Sequence, residues 1–165
     1  QQEYGIKRVA VVDFDVHHGN GTQAAFWDEP SLFYASTHQM PLYPGTGAAS
    51  ERGANGQNIC NVPLRSGAGS AAFRAAIEQG VLPALRRFQP ELLLVSAGFD
   101  AHARDPLANL AFQTEDFGWV TRQLLDVAAD CCDGRLASVL EGGYDLQALG
   151  DSVAAHVSEL MSPAG

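Results

Sequence analysis

The chain is poor in positive charge. It has one lysine, Lys7, and its ten Lys and Arg residues face nineteen Asp and Glu, for a net charge of −9 over 165 residues. That balance argues against binding a phosphate backbone, which requires clustered cations. No nucleic-acid partner is expected. The acidic excess serves ordinary solubility and also suits a cationic or lysine-bearing substrate. Cysteine is scarce too. Cys60, Cys131 and Cys132 are odd in number and none lies in a C-x-x-C spacing, which points to reduced structural thiols rather than a disulfide framework or a zinc knuckle. No apolar run approaches the ~20 residues that span a bilayer, and the opening QQEYGIKRVAV lacks the pattern of a secretory signal. Repeats, low-complexity tracts and linkers are absent. The expectation is a cytoplasmic chain with no membrane partner, residues 1–165 forming one domain.

What is present is a globular composition, 46% hydrophobic and 18% charged. A chain of this length can bury roughly 70% of its unfolded surface. Short apolar runs at 8–15, 31–37, 91–98 and 136–143 read as buried strands, rich in Val and Leu and bounded by Gly or polar residues. Gly- and Ser-rich stretches at 45–58 and 66–70 read as loops. Between the strands, Phe73, Ile77, Val81, Leu85 and Phe88 recur at helical spacing over 69–88. Thr114 is placed as the cap of a second helix, with Glu115 and Asp116 in its first turn. A third helix follows Asp145, with Leu146, Leu149, Val153, Val157 and Leu160 on one face. Alternating strands and helices imply an α/β fold, three-layer α/β/α with a mainly parallel sheet.

In such sheets ligands bind beyond the carboxyl ends of the strands. Three of the four expected strands end in chemically loaded peptides: DFDVHHGNG, SAGFDAH and LEGGYD. If the first strand continues through 13–17, alternation places Asp13, Asp15 and His17 on one face. A carboxylate and an imidazole two residues apart can chelate a divalent cation, and a mixed Asp/His shell suits zinc. Asp100, ending another strand, supplies a third ligand, which leaves Asp13 to orient a histidine or accept a hydrogen bond. Solvated loop acids are the competing reading. Tyr144 follows two glycines that let backbone approach a ligand. Its phenol can donate to a developing oxyanion, or it can simply plug the sheet edge. His18 and His102 are weaker candidates with packing roles open to them, and His38 and His156 carry no spacing signal. YPGTG lacks the phosphate-binding P-loop sequence, and no Ser or Cys has a nucleophile's context.

Taken together and in this order, VVDFDVHHGNGTQ, YPGTG, LLVSAGFDAHARDPL and LEGGYD resemble the zinc-dependent histone deacetylase family, closest to its class II and acetylpolyamine amidohydrolase-like members. The resemblance covers nearly the whole chain but only the C-terminal half of that catalytic domain, and so implies a partial arginase/deacetylase-like fold. It implies Zn2+ held by Asp15, His17 and Asp100, with Fe2+ or Co2+ as possible occupants of the same ligands. It also implies that Tyr144 polarises an acetyl carbonyl and that Asp13 orients a catalytic histidine. Backbone oxygens of Asp13, Asp15 and His17, with Ser36, match the family's structural K+ site, and Leu42 and Gly143 fall at the substrate rim. The implied activity is hydrolysis of an acetylated amine, either acetyl-lysine or an acetylpolyamine. The family's adjacent histidine pair, its general base and acid, has no counterpart here: His17 in the HH at 17–18 is the metal ligand. General acid–base catalysis contributes ~100- to 10,000-fold, so the chain alone is expected to be impaired. The expected partners are copies of itself or the missing N-terminal half. The alternative is a non-catalytic remnant that binds metal or a partner. An arginase-like two-manganese site is disfavoured because bridging aspartates are lacking.

Overall fold

The computed structural model describes residues 3–162, so Gln1, Gln2 and residues 163–165 of the expected domain lie outside it. Five parallel strands form one sheet: β1 (Val9–Asp13), β2 (Leu32–Gln39), β3 (Ile59–Leu64), β4 (Leu92–Ala97) and β5 (Leu136–Leu140), in the order β3-β2-β1-β4-β5. Four match the apolar runs. β3 was not expected, since its ICNVPL interrupts the apolar pattern with Asn61 and Pro63. Its position explains how it is tolerated: β3 is an edge strand, where the missing N–H of Pro63 breaks no ladder.

Alternation along the strands sorts the side chains to two faces. Ala10, Val12, Phe33, Ala35, Leu93 and Val95 join the main core, together with Phe73, Ile77, Leu85, Phe117, Val120 and Leu124 from the helices. Val11, Tyr34 and Ile59 form a smaller cluster on the other face, packed by Phe26 and Trp27. Helices α2 (Ser70–Ala76), α3 (Leu82–Phe88) and α4 (Thr114–Cys131) cover the first face; α1 (Asn20–Phe26), which carried no recognisable signal, serves the second. The layered parallel α/β architecture is therefore as expected. The helix expected over 69–88 forms, with helical backbone across its junctions, but it is not α-helical along its whole length. A π turn at Ile77–Val81 separates α2 from α3, while Phe73, Ile77, Val81 and Leu85 keep their places in the core.

Two further corrections concern helix ends and faces. The residue capping α4 is Gln113, not Thr114, and its N–H donates to the buried Asp116 carboxylate (2.9 Å). That carboxylate also accepts Ser70 Oγ and the Arg74 guanidinium. In α5 (Leu146–Leu160), Asp145 does cap, accepting the Ala148 N–H at 2.8 Å. Its buried residues, however, are Ala148, Ser152 and His156, whereas Leu146 is 82% exposed.

His156 sits edge-on to Phe14 and Phe99, with Nδ1 2.6 Å from Thr121 Oγ1 and Nε2 2.9 Å from Ser138 Oγ. Burial pushes its pKa below the ordinary histidine value. Such a group takes up its proton at a lower pH in the fold than in the unfolded chain, whose histidines titrate near pH 6.5, so its contribution to stability is complete above pH 6.5 and is lost as pH falls. Urea unfolding at pH 7 and pH 5 should therefore show a smaller acid loss for His156→Gln than for the parent, by up to ~1.4 kcal/mol per pH unit. Equal losses would place the acid sensitivity elsewhere.

β5 closes the second edge of the sheet, and there Val139 and Leu140 are each 59% exposed. Among the described residues no helix is long and apolar enough to cross a membrane.

Candidate metal centre

The ends of β1, β4 and β5, adjacent in the sheet, converge on one point. β1 stops at Asp13, so Asp15 and His17 are not brought together by strand alternation. They lie in the irregular segment that turns into α1, and carboxylates hold its shape. The Asp13 Oδ1 accepts the Asp15 N–H (3.0 Å), and the Asp15 Oδ1 accepts the His17 N–H (2.8 Å). Asp100 follows β4, and its Oδ1 accepts the Val16 N–H (2.9 Å), tying the two segments together. From beyond β5, Gly142 N–H donates to Asp15 Oδ2 (2.9 Å), and its carbonyl accepts Phe99 N–H (2.8 Å).

This stitching leaves the His17 Nδ1 3.1 Å from Asp15 Oδ1 and 3.3 Å from Asp100 Oδ2. Ligand atoms of Asp15, His17 and Asp100 all lie within 4.8 Å of one another, the sole such group of three among the described residues. One observation shows that the cluster fits a cation. Asp100 Oδ2 is buried without a hydrogen-bond donor, a costly state for a carboxylate oxygen unless a cation serves it. Burial, followed by the charge of Asp15, raises the Asp100 pKa, and the charge of His17 opposes that shift. The packing also leaves no room for side chains around it. A Cβ on Gly98 would stand 2.3 Å from Asp15 Oδ2, and one on Gly142 would stand 2.1 Å from Asp100 Oδ2. No local pattern marks Gly98, and Gly142 packs directly against the two carboxylates.

The remaining candidates are placed as follows. Asp13 is buried, its Oδ2 accepting the Tyr34 hydroxyl (2.9 Å). Burial, then the Asp15 charge, push its carboxyl up to about 8. It borders a cavity of about 180 Å³ shared with Asp15, His17, Ser96 and Glu141. Tyr144 is 54% exposed, and its phenol is pushed up by partial desolvation and by the charges of Asp100 and Asp15, which keeps it protonated. Its backbone N–H is held by the buried Asp105 (2.7 Å), whose other oxygen accepts the Leu107 N–H. Asp105 thus holds the turn that carries Tyr144, and no local pattern announces it. Ser36 lies in register with Asp13, its Oγ 2.9 Å from His38 Nδ1. Leu42 is half-buried against the main core, and Gly143, at φ +140°, backs onto Leu149. His18 has the packing role: it bridges Thr46 and Gln23 beneath Gly47. His102 stacks on Phe117.

The comparisons agree with this geometry. The family model for the histone deacetylase domain matches residues 1–160. The chain is 49% identical over 156 residues to "Histone deacetylase 10, chloroplastic" of Oryza sativa subsp. japonica, covering 93% of this chain and 35% of that protein. It is 44% identical over 145 residues to the "Histone deacetylase-like amidohydrolase" of Pseudomonas aeruginosa, covering 86% and 38% respectively. Among solved structures, the HDA15 HD domain superposes with a TM-score of 0.89 at 39% identity, covering 96% of this chain and 45% of that one. The chain thus spans about a third to a half of the rice, Arabidopsis and Synechocystis relatives most similar in sequence among those compared. With strand order, ligand cluster and family match in agreement, the chain belongs to the histone deacetylase family.

Proposed function

We propose that this chain is the metal-bearing part of a zinc-dependent amide hydrolase that removes acetyl groups from acetyl-lysine or acetylpolyamine-type amines. The observation that carries the reading is the convergence of Asp15, His17 and Asp100 around a buried carboxylate oxygen with no donor. One nitrogen and carboxylate oxygens suit Zn2+, with Fe2+ or Co2+ as the alternatives such ligands accept. When bound, the ion would act as a Lewis acid on the amide carbonyl and lower the pKa of water. Asp15, His17 and Asp100 would hold it; Tyr144, whose backbone is anchored by Asp105, would present a neutral hydroxyl to donate to the carbonyl oxygen as charge develops there. We assign the K+ site to backbone oxygens of Asp13, Asp15 and His17 with Ser36, whose buried oxygen stands opposite Asp13 in the sheet register. Leu42 and Gly143 are assigned to the rim of the substrate path.

A general base is the part this chain does not supply. His17 faces the metal site, and His18, His38, His102 and His156 are each engaged in packing or hydrogen bonds. We assign that role to a histidine outside these residues, positioned by Asp13 across the neighbouring cavity. The apolar edge at Val139 and Leu140 is where such a segment, or a second copy, would add to the sheet. Three free thiols support the cytoplasm as its compartment, with a plastid, as in the names of the plant relatives, as the competing outcome of localisation.

The test is hydrolysis of an acetyl-lysine peptide and of an acetylpolyamine by the purified, zinc-supplemented chain, with Asp100→Ala as control. Turnover abolished in the control supports the reading. Zinc-loaded, folded protein with no turnover, even beside a segment carrying the histidine pair, would leave a binding module instead.

A further inference from the structure

Away from the metal centre, along the free edge of β3, lies a cleft of about 490 Å³. One wall carries Arg52 and Gln57; the other, from the π turn and α3, carries Gln79, Gly80 and Arg87. The chain has net charge −9, yet no Asp or Glu lines this cleft. Its arginines are also unusual here. Arg8, Arg74, Arg86, Arg104, Arg122 and Arg135 each pair with a carboxylate. Among the described residues, the guanidinium groups without an ion pair or hydrogen bond are those of Arg52, Arg65 and Arg87, and two of these three face the same cleft.

The floor supplies a donor. In a parallel ladder, alternate residues send both backbone groups to the same neighbour. Tyr34 N–H donates to Asn58 and Met40 N–H to Leu64, so even-numbered residues of β3 serve β2 and odd-numbered ones face outward. Outward-facing Ile59 N–H is taken by the Arg52 carbonyl (3.4 Å) and Pro63 has none, which leaves Asn61 N–H directed into the cleft. The adjoining π turn is the kind of helix irregularity that recurs at functional sites. Its Gly80 is required by space, since a Cβ there would meet Val62 Cγ2 at 2.9 Å. Both arginine charges also act on the Cys60 thiol on the same strand, where they oppose the effect of burial.

We propose that this cleft binds a phosphate group, free or carried on a small molecule, between Arg52 and Arg87 with Asn61 N–H beneath it. Guanidinium forks and backbone N–H groups are the donors that phosphate oxygens take, and the volume lies in the range of small-molecule sites. The cleft is separate from Asp15, His17 and Asp100, so binding here is independent of the activity assigned above.

Titration calorimetry of the intact chain with ribose 5-phosphate and with inorganic phosphate tests the proposal and tells the ester from the free ion. Saturable binding of either is expected. Arg52→Gln and Arg87→Gln should each weaken it about 10-fold or more, whereas Arg65→Gln, an exposed arginine outside the cleft, should not. Phosphate should also slow alkylation of Cys60 but not of Cys131, read by mass spectrometry on the unsubstituted protein. Absence of saturable binding overturns the proposal, as does equal weakening by Arg65→Gln. So does binding of an acidic peptide in preference to both phosphates, which would assign the edge to strand pairing.

Discussion

Gly142→Ala is expected to abolish metal capture while leaving the chain folded. The added Cβ would lie 2.1 Å from Asp100 Oδ2, 2.5 Å from its Cγ and 2.7 Å from Asp15 Oδ2, closer than any real Cβ approaches. Neither side can yield. Asp100 is buried and anchored through Val16 N–H, and the Gly142 backbone is pinned on both sides by Asp15 and Phe99. The substitution therefore displaces a ligand itself. Its cost should exceed the ~10- to 100-fold typical of disturbing a group that only supports a ligand. Zinc affinity measured by competition with a chromophoric chelator should fall more than 100-fold. Gly150→Ala is the matched control: nothing lies within 4 Å of its Cβ position in α5, and it should keep full affinity with a gain of about 0.5–1 kcal/mol in stability. An alanine at 142 that binds zinc within tenfold of the parent would show that the carboxylates are mobile, and the metal assignment would lose its main support.

Phe117→Ala should be among the most destabilising single changes, at about 3–5 kcal/mol. Phe117 is fully buried on α4, with ring centroids 5.1 Å from Phe99, 6.0 Å from Phe14 and 6.3 Å from Phe112. The cluster spans the ends of β1 and β4, so removing the ring opens a cavity that neither strand end can close. Against a total of ~5–15 kcal/mol for a domain, the loss is a large fraction of stability. It should appear as a lowered urea midpoint at unchanged slope. Because Phe14 and Phe99 directly precede Asp15 and Asp100, zinc affinity should fall as well. A loss below about 1 kcal/mol would mean the neighbours collapse into the space and the cluster does not hold the metal segments apart.

Much of this molecule was legible in one dimension. Apolar runs ending in acidic and imidazole groups identify strands that deliver chemistry to one edge, and Asp15, His17, Asp100 and Tyr144 follow from that pattern and from the family resemblance. The path of the chain into the site is not legible in the same way. Asp15 and His17 meet in a turn held by carboxylate-to-backbone hydrogen bonds, which have no period to detect, not on a continuing strand. β3 escaped notice because an edge strand can carry polar residues and proline, so its pattern differs little from a loop's. The exposed Leu146 and the buried His156 of α5 reversed the hydrophobic expectation because Thr121 and Ser138 satisfy the imidazole.

By itself, then, the sequence determined the strand and helix alternation and the residue types of the candidate metal cluster, all local or compositional properties. Only the tertiary structure decided that Gly98 and Gly142 must lack side chains, that Asp105 holds the Tyr144 turn, and that two unpaired arginines share a cleft. Each of these depends on contacts between segments distant in the chain, most of them dozens of residues apart, and at that range sterics and charge leave no mark on the local pattern.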